Sequence, residues 1–223
     1  MVEVKELAAK ALELQKKGLK PTEIGDELHL TVDTVHYLLE EGSEGTLPPS
    51  DVKIGWRSLG VSPHRMWLIG EILADMANEE LAKMNLKADS VAGIALNGVG
   101  FANTIAQILE AELLVYRPPA ERTSSGGAFS SNYASPKGKK VVVVDDVLST
   151  GHAMESAVND IRAGGGDPVV CLVIVNKSSL DEIGGVRLRG IIRARSIDGI
   201  LWCGHHSGAC SCAVCSSIPP LKE

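Results

Sequence analysis

Aromatic side chains are scarce in this 223-residue chain: Phe, Trp and Tyr together make up 4%. That scarcity disfavours recognition of single-stranded nucleic acid by stacked bases on an aromatic platform. Long apolar runs are missing as well. No stretch approaches the roughly 18 uninterrupted apolar residues of a membrane helix, and Met1–Lys10 carries two glutamates, unlike a signal peptide. A cytoplasmic protein without a membrane partner is the expectation. Positive charge is also in deficit. With 22 Lys+Arg against 28 Asp+Glu the net charge is −6, which excludes a large basic surface and leaves only a local patch for any contact with nucleic acid. Internal repeats are absent. Cysteine is sparse and uneven: four of the five, Cys203, Cys210, Cys212 and Cys215, crowd the C-terminal end. A secreted disulfide scaffold spreads its cysteines along the chain, so this cluster reads as a local metal or redox feature.

What is present suffices for a folded core. A hydrophobic content of 44% and a charged content of 22% exclude disorder, and the length suits one large domain or a core with a small appendage. Residues 2 to 41 carry helical periodicity only. Val4, Leu7, Ala8, Ala11, Leu12 and Leu14 form one stripe ending at Gly18; Pro21-Thr22 opens a short helix through Leu28; His29-Leu30 is a turn; Thr31 caps a third helix, Val32–Glu40. Gly42, Ser43, Gly45 and Pro48-Pro49-Ser50 mark a boundary. The division that follows is a head over 1–45, a linker over 46–61, a body over 62–200 and a Cys/His-rich tail over 201–223.

In the body, Ser62-Pro63 begins a helix running to about Met84. Strand and helix then alternate: strands at Val91–Leu96, Leu113–Tyr116, Lys140–Val144, Val169–Val175 and Ile191–Ala194, with a turn at Asn97–Gly100, a helix through Leu109 and another over Ser156–Arg162. The runs Val141–Val144 and Val169–Val175 are apolar without alternation, as in strands covered on both faces. The expected fold is therefore an α/β parallel sheet flanked by helices, with a small all-α N-terminal domain. Pro118–Pro136, rich in Ser and Gly, is a loop long enough to be a functional lid or to be disordered.

The chemistry concentrates in Val141-Val-Val-Val-Asp145-Asp146-Val-Leu-Ser149-Thr150-Gly151-His152. A buried strand delivers two carboxylates, and a hydroxyl- and glycine-bearing turn then enters a helix. Amides at a helix start form an anion nest that suits a phosphate, and the Ser149 and Thr150 hydroxyls add donors. Asp145 and Asp146 repel each other, so they favour a sugar diol or a divalent cation between them. Together these parts describe a site for a sugar 5-phosphate.

This pattern resembles the phosphoribosyl-pyrophosphate signature of type I phosphoribosyltransferases, over about residues 50 to 200 and most closely the orotate enzymes. The resemblance implies the type I sheet for the body, binding of phosphoribosyl pyrophosphate with Mg²⁺, a pyrophosphate loop at Ala95-Leu96-Asn97-Gly98-Val99-Gly100, and a pyrophosphate contact from Arg117. The chain departs from that family where catalysis is concerned. Asn97 stands where the orotate enzymes carry a lysine. The lid Arg117-Pro-Pro-Ala-Glu121-Arg122-Thr-Ser-Ser-Gly-Gly has Glu121 at the position of the expected lysine, Arg122 beside it, and no lysine or histidine before Lys137. Leaving-group charge needs placed cations, so binding is expected to outlive catalysis here, with an active orotate or purine phosphoribosyltransferase as the alternative.

The head reads as a helix-turn-helix. Its third helix would offer Thr31, Asp33, Thr34, His36 and Tyr37 to DNA, with Lys16, Lys17 and Lys20 on the phosphate backbone. Five lysines face ten acids over residues 1–45, and the first arginine is Arg57, so an oligomerisation or protein-docking module stays open. Head and body together resemble an archaeal family of sugar-catabolism regulators, the GfcR-type regulators. That likeness implies a transcriptional regulator, a homodimer on promoter DNA, whose body binds a sugar phosphate effector. In the tail, Cys203, His205, Cys210, Cys212 and Cys215 supply the donors of a Zn²⁺ site; an iron–sulfur cluster, redox-active or free thiols, and a metal-dependent docking site remain open.

Overall fold

The computed structural model describes residues 4–40, 51–119 and 128–195. Helices α1 (Val4–Lys16), α2 (Pro21–Leu28) and α3 (Val32–Leu39) form the head. Proline presets the first turn of α2, and Glu23 Oε2 accepts the Lys20 amide there at 2.7 Å. His29, left-handed at φ 56°, ends the helix. Thr31 caps α3 by accepting the Thr34 amide. Ala11, Ile24, Leu28, Leu30, Val35 and Leu38 bury one another in a core of the head's own.

The body follows as α4 (Arg57–Gly60), α5 (Pro63–Lys83), β1 (Ser90–Ile94), α6 (Asn97–Ile108), β2 (Glu112–Tyr116), β3 (Lys140–Leu148), α7 (His152–Ala163), β4 (Asp167–Asn176), β5 (Glu182–Ile183) and β6 (Val186–Arg193). The sheet order is β2-β1-β3-β4-β6-β5. All neighbours are parallel except β5 with β6. The four valines of β3 divide as a doubly covered strand must. Val142 and Val144 face α5 and α6, whereas Val141 and Val143 face α7. The α/β fold expected from the sequence is thus the fold observed.

Four local features differ from the sequence reading. Asn97–Gly100 is the first turn of α6 rather than a loop, because Gly98 lets the helix start directly against β3. Strand β3 does not end at the acid pair. It runs on to Leu148, still paired with β4, while its other neighbour β1 stops opposite Val144. A hairpin, β5 to β6, turns through Gly184 and Gly185 at φ 54° and 77°, which is the Gly-Gly chemistry of a tight turn that needs two positive φ values. The connector also carries a helix, α4, that its composition did not suggest.

Cys171 lies in the middle of β4, fully buried, and burial pushes its thiol up to about 12. Since the thiolate is the nucleophile, iodoacetamide at neutral pH should leave Cys171 unmodified in the native protein and modify it after guanidinium unfolding. Peptide mass spectrometry reads the result.

Candidate functional site

In open parallel sheets, ligands bind beyond the carboxyl ends of strands where the strand order reverses. Here the reversal lies between β1 and β3. A cavity of about 190 Å³ opens there, lined from the body by Ile94, Asn97, Asp145, Asp146, Gly151 and His152, and from the head by Glu23, Asp26, Glu27 and His29. Because β1 stops first, the acid pair projects past its end while β4 still braces the other side.

The turn from β3 into α7 has the geometry of an anion seat. Gly151 takes φ 85° as the residue preceding α7, a conformation glycine adopts without cost. The Thr150 hydroxyl accepts the His152 amide at 3.2 Å, which fixes the turn. The Thr150 and Ala153 amides point into the seat together with the Thr150 hydroxyl, and the dipole of α7 adds positive potential. A carboxylate of the head fills the seat. Asp26 Oδ1 accepts from the Thr150 amide at 3.2 Å and the Thr150 hydroxyl at 2.7 Å, and Asp26 Oδ2 accepts from the Ala153 amide at 3.0 Å.

The two acids of β3 differ in environment. Asp146 is 2% exposed. Its Oδ2 accepts hydrogen bonds from Trp56 Nε1 and from Asn97 Nδ2 at 3.1 Å, and lies 3.3 Å from His29 Nε2. Burial works to raise this carboxyl; the hydrogen bond and charge of His29, with help from Asp145 and Trp56, outweigh it and hold the group below its ordinary range. Asp145 goes the other way. Burial first, then the neighbouring Asp146 charge, push it well above the usual carboxylate range, and Asp26 adds to the same push. The pair is therefore held apart in acidity, Asp146 downward by its hydrogen-bond partners and Asp145 upward by burial and its neighbour's charge.

The structure brings Asp145, Asp146, Gly151, His152 and Asn97 around one cavity, with Gly98 directly under β3. Ser149 and Thr150 line a second cavity on the far side of the seat with Thr22, Thr31 and Val32 of the head. Ser149 Oγ is buried with no hydrogen-bond partner among the described residues. Arg117 turns back along its own loop, donating from Nη2 to the Phe129 carbonyl at 3.1 Å. Among the proposed DNA contacts, Lys16, Lys17, Lys20, Asp33 and His36 are exposed, Lys17 pairing with Glu13 at 2.8 Å. Tyr37 packs partly into the head core. Thr31 donates its amide to Asp51 Oδ2 at 2.7 Å, and its hydroxyl lies 2.9 Å from that of Thr34. Cys203, His205, Cys210, Cys212 and Cys215 lie outside the described residues, as do Glu121 and Arg122 of the lid. No group of three or more His, Cys, Asp or Glu among the described residues is placed to hold a metal ion.

Residues that sequence reasoning missed complete the arrangement. Asp26 and His29 come from the head, Trp56 and Asp51 from the connector, and Lys177 from the end of β4. Lys177 Nζ lies 2.8 Å from Asp51 Oδ1, with both side chains almost fully buried, and also donates to the His29 carbonyl. Lys53 Nζ donates to the Leu28 carbonyl at 2.6 Å. Within their own segments these residues look ordinary, and only the acidic balance of the head, ten acids against five lysines over residues 1–45, hinted at a role other than DNA contact.

Residues 64–182 match the phosphoribosyl transferase domain family. A transcriptional regulator GfcR from Thermoplasma acidophilum is 44% identical over 89% of this chain and 100% of its own length. One from Haloferax volcanii is 32% identical over 86% of this chain and 96% of its own. This chain belongs to the GfcR family of transcriptional regulators. Its fold is that of an orotate phosphoribosyltransferase from Aeropyrum pernix, matched at 26% identity and a TM-score of 0.50 over 67% of this chain and 82% of that one. A GfcR-family chain is thus a regulator with a phosphoribosyltransferase-like body. No helix among its described residues is long and apolar enough to cross a membrane.

Proposed function

We propose that this regulator binds promoter DNA through its helical head and a ribose 5-phosphate compound, phosphoribosyl pyrophosphate foremost, in its body, as an effector that it does not turn over. The observation that carries the reading is the seat at the start of α7. Two amides and a hydroxyl there hold the paired oxygens of an anion, next to an acid pair suited to vicinal hydroxyls. Turnover is left out because Asn97 offers an amide where a cation would be needed and the lid segment 118–136 contains neither lysine nor histidine. Mg²⁺ enters only as a companion of the ligand's diphosphate, whose oxygens must complete its coordination. Zn²⁺ at the tail cysteines is a separate proposal, tested by metal analysis of protein purified without oxygen. A homodimer is supported by Val61, Trp67, Leu68 and Ile72, which stand exposed on α5 and the turn that precedes it.

The test is calorimetry with and without phosphoribosyl pyrophosphate and Mg²⁺, joined to a gel shift on the gene's own upstream region. A ligand at a hundred times its Kd should stabilise the folded chain by about 2.7 kcal/mol and change DNA affinity. Asp145→Ala with Asp146→Ala should abolish both responses. Nucleotide formation from orotate or a purine base at enzymatic rates would overturn the non-catalytic part.

A further inference from the structure

The head does not merely sit beside the effector site; it occupies both of its halves. Asp26 and His29 are three residues apart, at the end of α2 and just beyond it. The Asp26 carboxylate takes the phosphate seat, receiving the Thr150 amide and hydroxyl and the Ala153 amide. The His29 imidazole lies 3.3 Å from Asp146, where a sugar hydroxyl would donate. An anion for the amides and a donor for the acid, at one segment's spacing, reproduce the polarity of a sugar phosphate from its phosphate end to its diol end. We propose that the Asp26–His29 segment is an internal mimic of the effector, so that a phosphate-bearing ligand and the docked head exclude each other. This rests on the effector reading above and adds how the signal leaves the site.

Geometry makes the exclusion strict. Each amide of the seat has one proton to donate, and two of them are already used by Asp26. Gly25 approaches Thr150 so closely that a Cβ on it would lie 3.0 Å from the threonine methyl, so there is no room to keep α2 in place and insert a phosphate between. The docked cavity is also strongly acidic, with Glu23, Asp26 and Glu27 opposite Asp145 and Asp146, and repels an anion until α2 leaves. Docking also half-covers the start of α3: Thr31 and Val32 face Ser149, Thr150, His152 and Glu155 across the second cavity, while Asp33 and His36 stay exposed. Ligand binding therefore bears on where α3 is held relative to the body through one two-state contact, and the coupling is reciprocal by linkage.

The experiment measures ribose 5-phosphate binding by isothermal titration on the full chain, wild type against Asp26→Ala and Asp26→Asn. In parallel, His29 is labelled with diethyl pyrocarbonate and read by mass spectrometry. His29 is a reporter because its side chain is only 15% exposed in the docked state. Loss of the competing carboxylate should tighten ligand binding about tenfold or more in Asp26→Ala, the scale of a lost charge-assisted contact, with Asp26→Asn between it and wild type. Ligand should raise His29 labelling in wild type, and Asp26→Ala should raise it without ligand. Equal affinity in all three proteins, with His29 labelling unmoved by ligand, would overturn the mimic while leaving the effector site standing. Absence of binding in wild type and in Asp26→Ala alike, with phosphoribosyl pyrophosphate and Mg²⁺ also tried, would overturn both.

Discussion

Lys177→Ala is expected to destabilise the protein by about 3–5 kcal/mol, the usual result of removing one partner from a buried ion pair. The Lys177 side chain is 4% exposed and that of Asp51 is 7%, so water cannot solvate the carboxylate left behind. Asp51 also accepts the Thr31 amide, and Lys177 also donates to the His29 carbonyl. The loss therefore falls on the junction of head, connector and body. Guanidinium unfolding gives the magnitude. Asp51→Asn combined with Lys177→Met should lose less than Lys177→Ala alone, because no unpaired charge then stays buried. The pH dependence carries the sign. Burial pushes the Asp51 carboxyl up, but the Lys177 hydrogen bond, the Thr31 amide and the Lys177 charge outweigh it and hold the carboxyl below its ordinary range. In wild type the stabilisation is present above the unfolded-state value of an aspartate and drains away as pH falls through the lower folded-state value. In Lys177→Ala only the Thr31 amide and the Thr34 side chain still oppose burial, the carboxyl rises, and protonation relieves the penalty. The two stability curves should therefore converge on acidification and lie farthest apart near neutral pH.

That junction also shows where sequence reading stops. The sheet was legible because burial on both faces leaves a signature in composition: Val141–Val144 and Val169–Val175 admit few other placements. The seat was legible because an acid pair, hydroxyls and a glycine must follow a strand in order to make it. Local chemistry could have revealed more. Gly184-Gly185 between Ile183 and Val186 is a hairpin signal, and β5 and β6 form around it. Asp26, His29 and Trp56 were not recoverable in this way. Each looks ordinary within its own segment: an aspartate on a helix, a histidine in a turn, a tryptophan in a connector. Their roles arise from contacts across 90 to 127 residues of chain, which periodicity and spacing do not encode. Charge did leave one trace. A head with ten acids and five lysines is poorly built for DNA alone, and α2 turns its acidic side, Glu23, Asp26 and Glu27, toward the cavity at the acid pair.

The second large effect is expected at Gly98, where chemistry and packing meet. A Cβ there would lie 2.4 Å from the Val144 carbonyl oxygen and 3.1 Å from the Asp145 Cα. Both are backbone atoms of β3, held between β1 and β4, so no side chain can swing aside. Gly98→Ala must lift the start of α6, which carries Asn97 away from Asp146 and disturbs the peptide that positions Asp145. Overpacking of this kind costs about 1–3 kcal/mol, and ligand binding should fall with it. Gly100→Ala, two residues along the same helix, is the control. There the added Cβ meets only the terminal methyl of Met66 at 2.5 Å, the end of a flexible side chain that can move, and alanine improves helix propensity by about 0.5–1 kcal/mol. Denaturation and effector titration on the two variants should separate them, Gly98→Ala losing both stability and binding and Gly100→Ala keeping both. If the two behaved alike, the close approach of α6 to β3 would not be what places Asn97 against the acid pair.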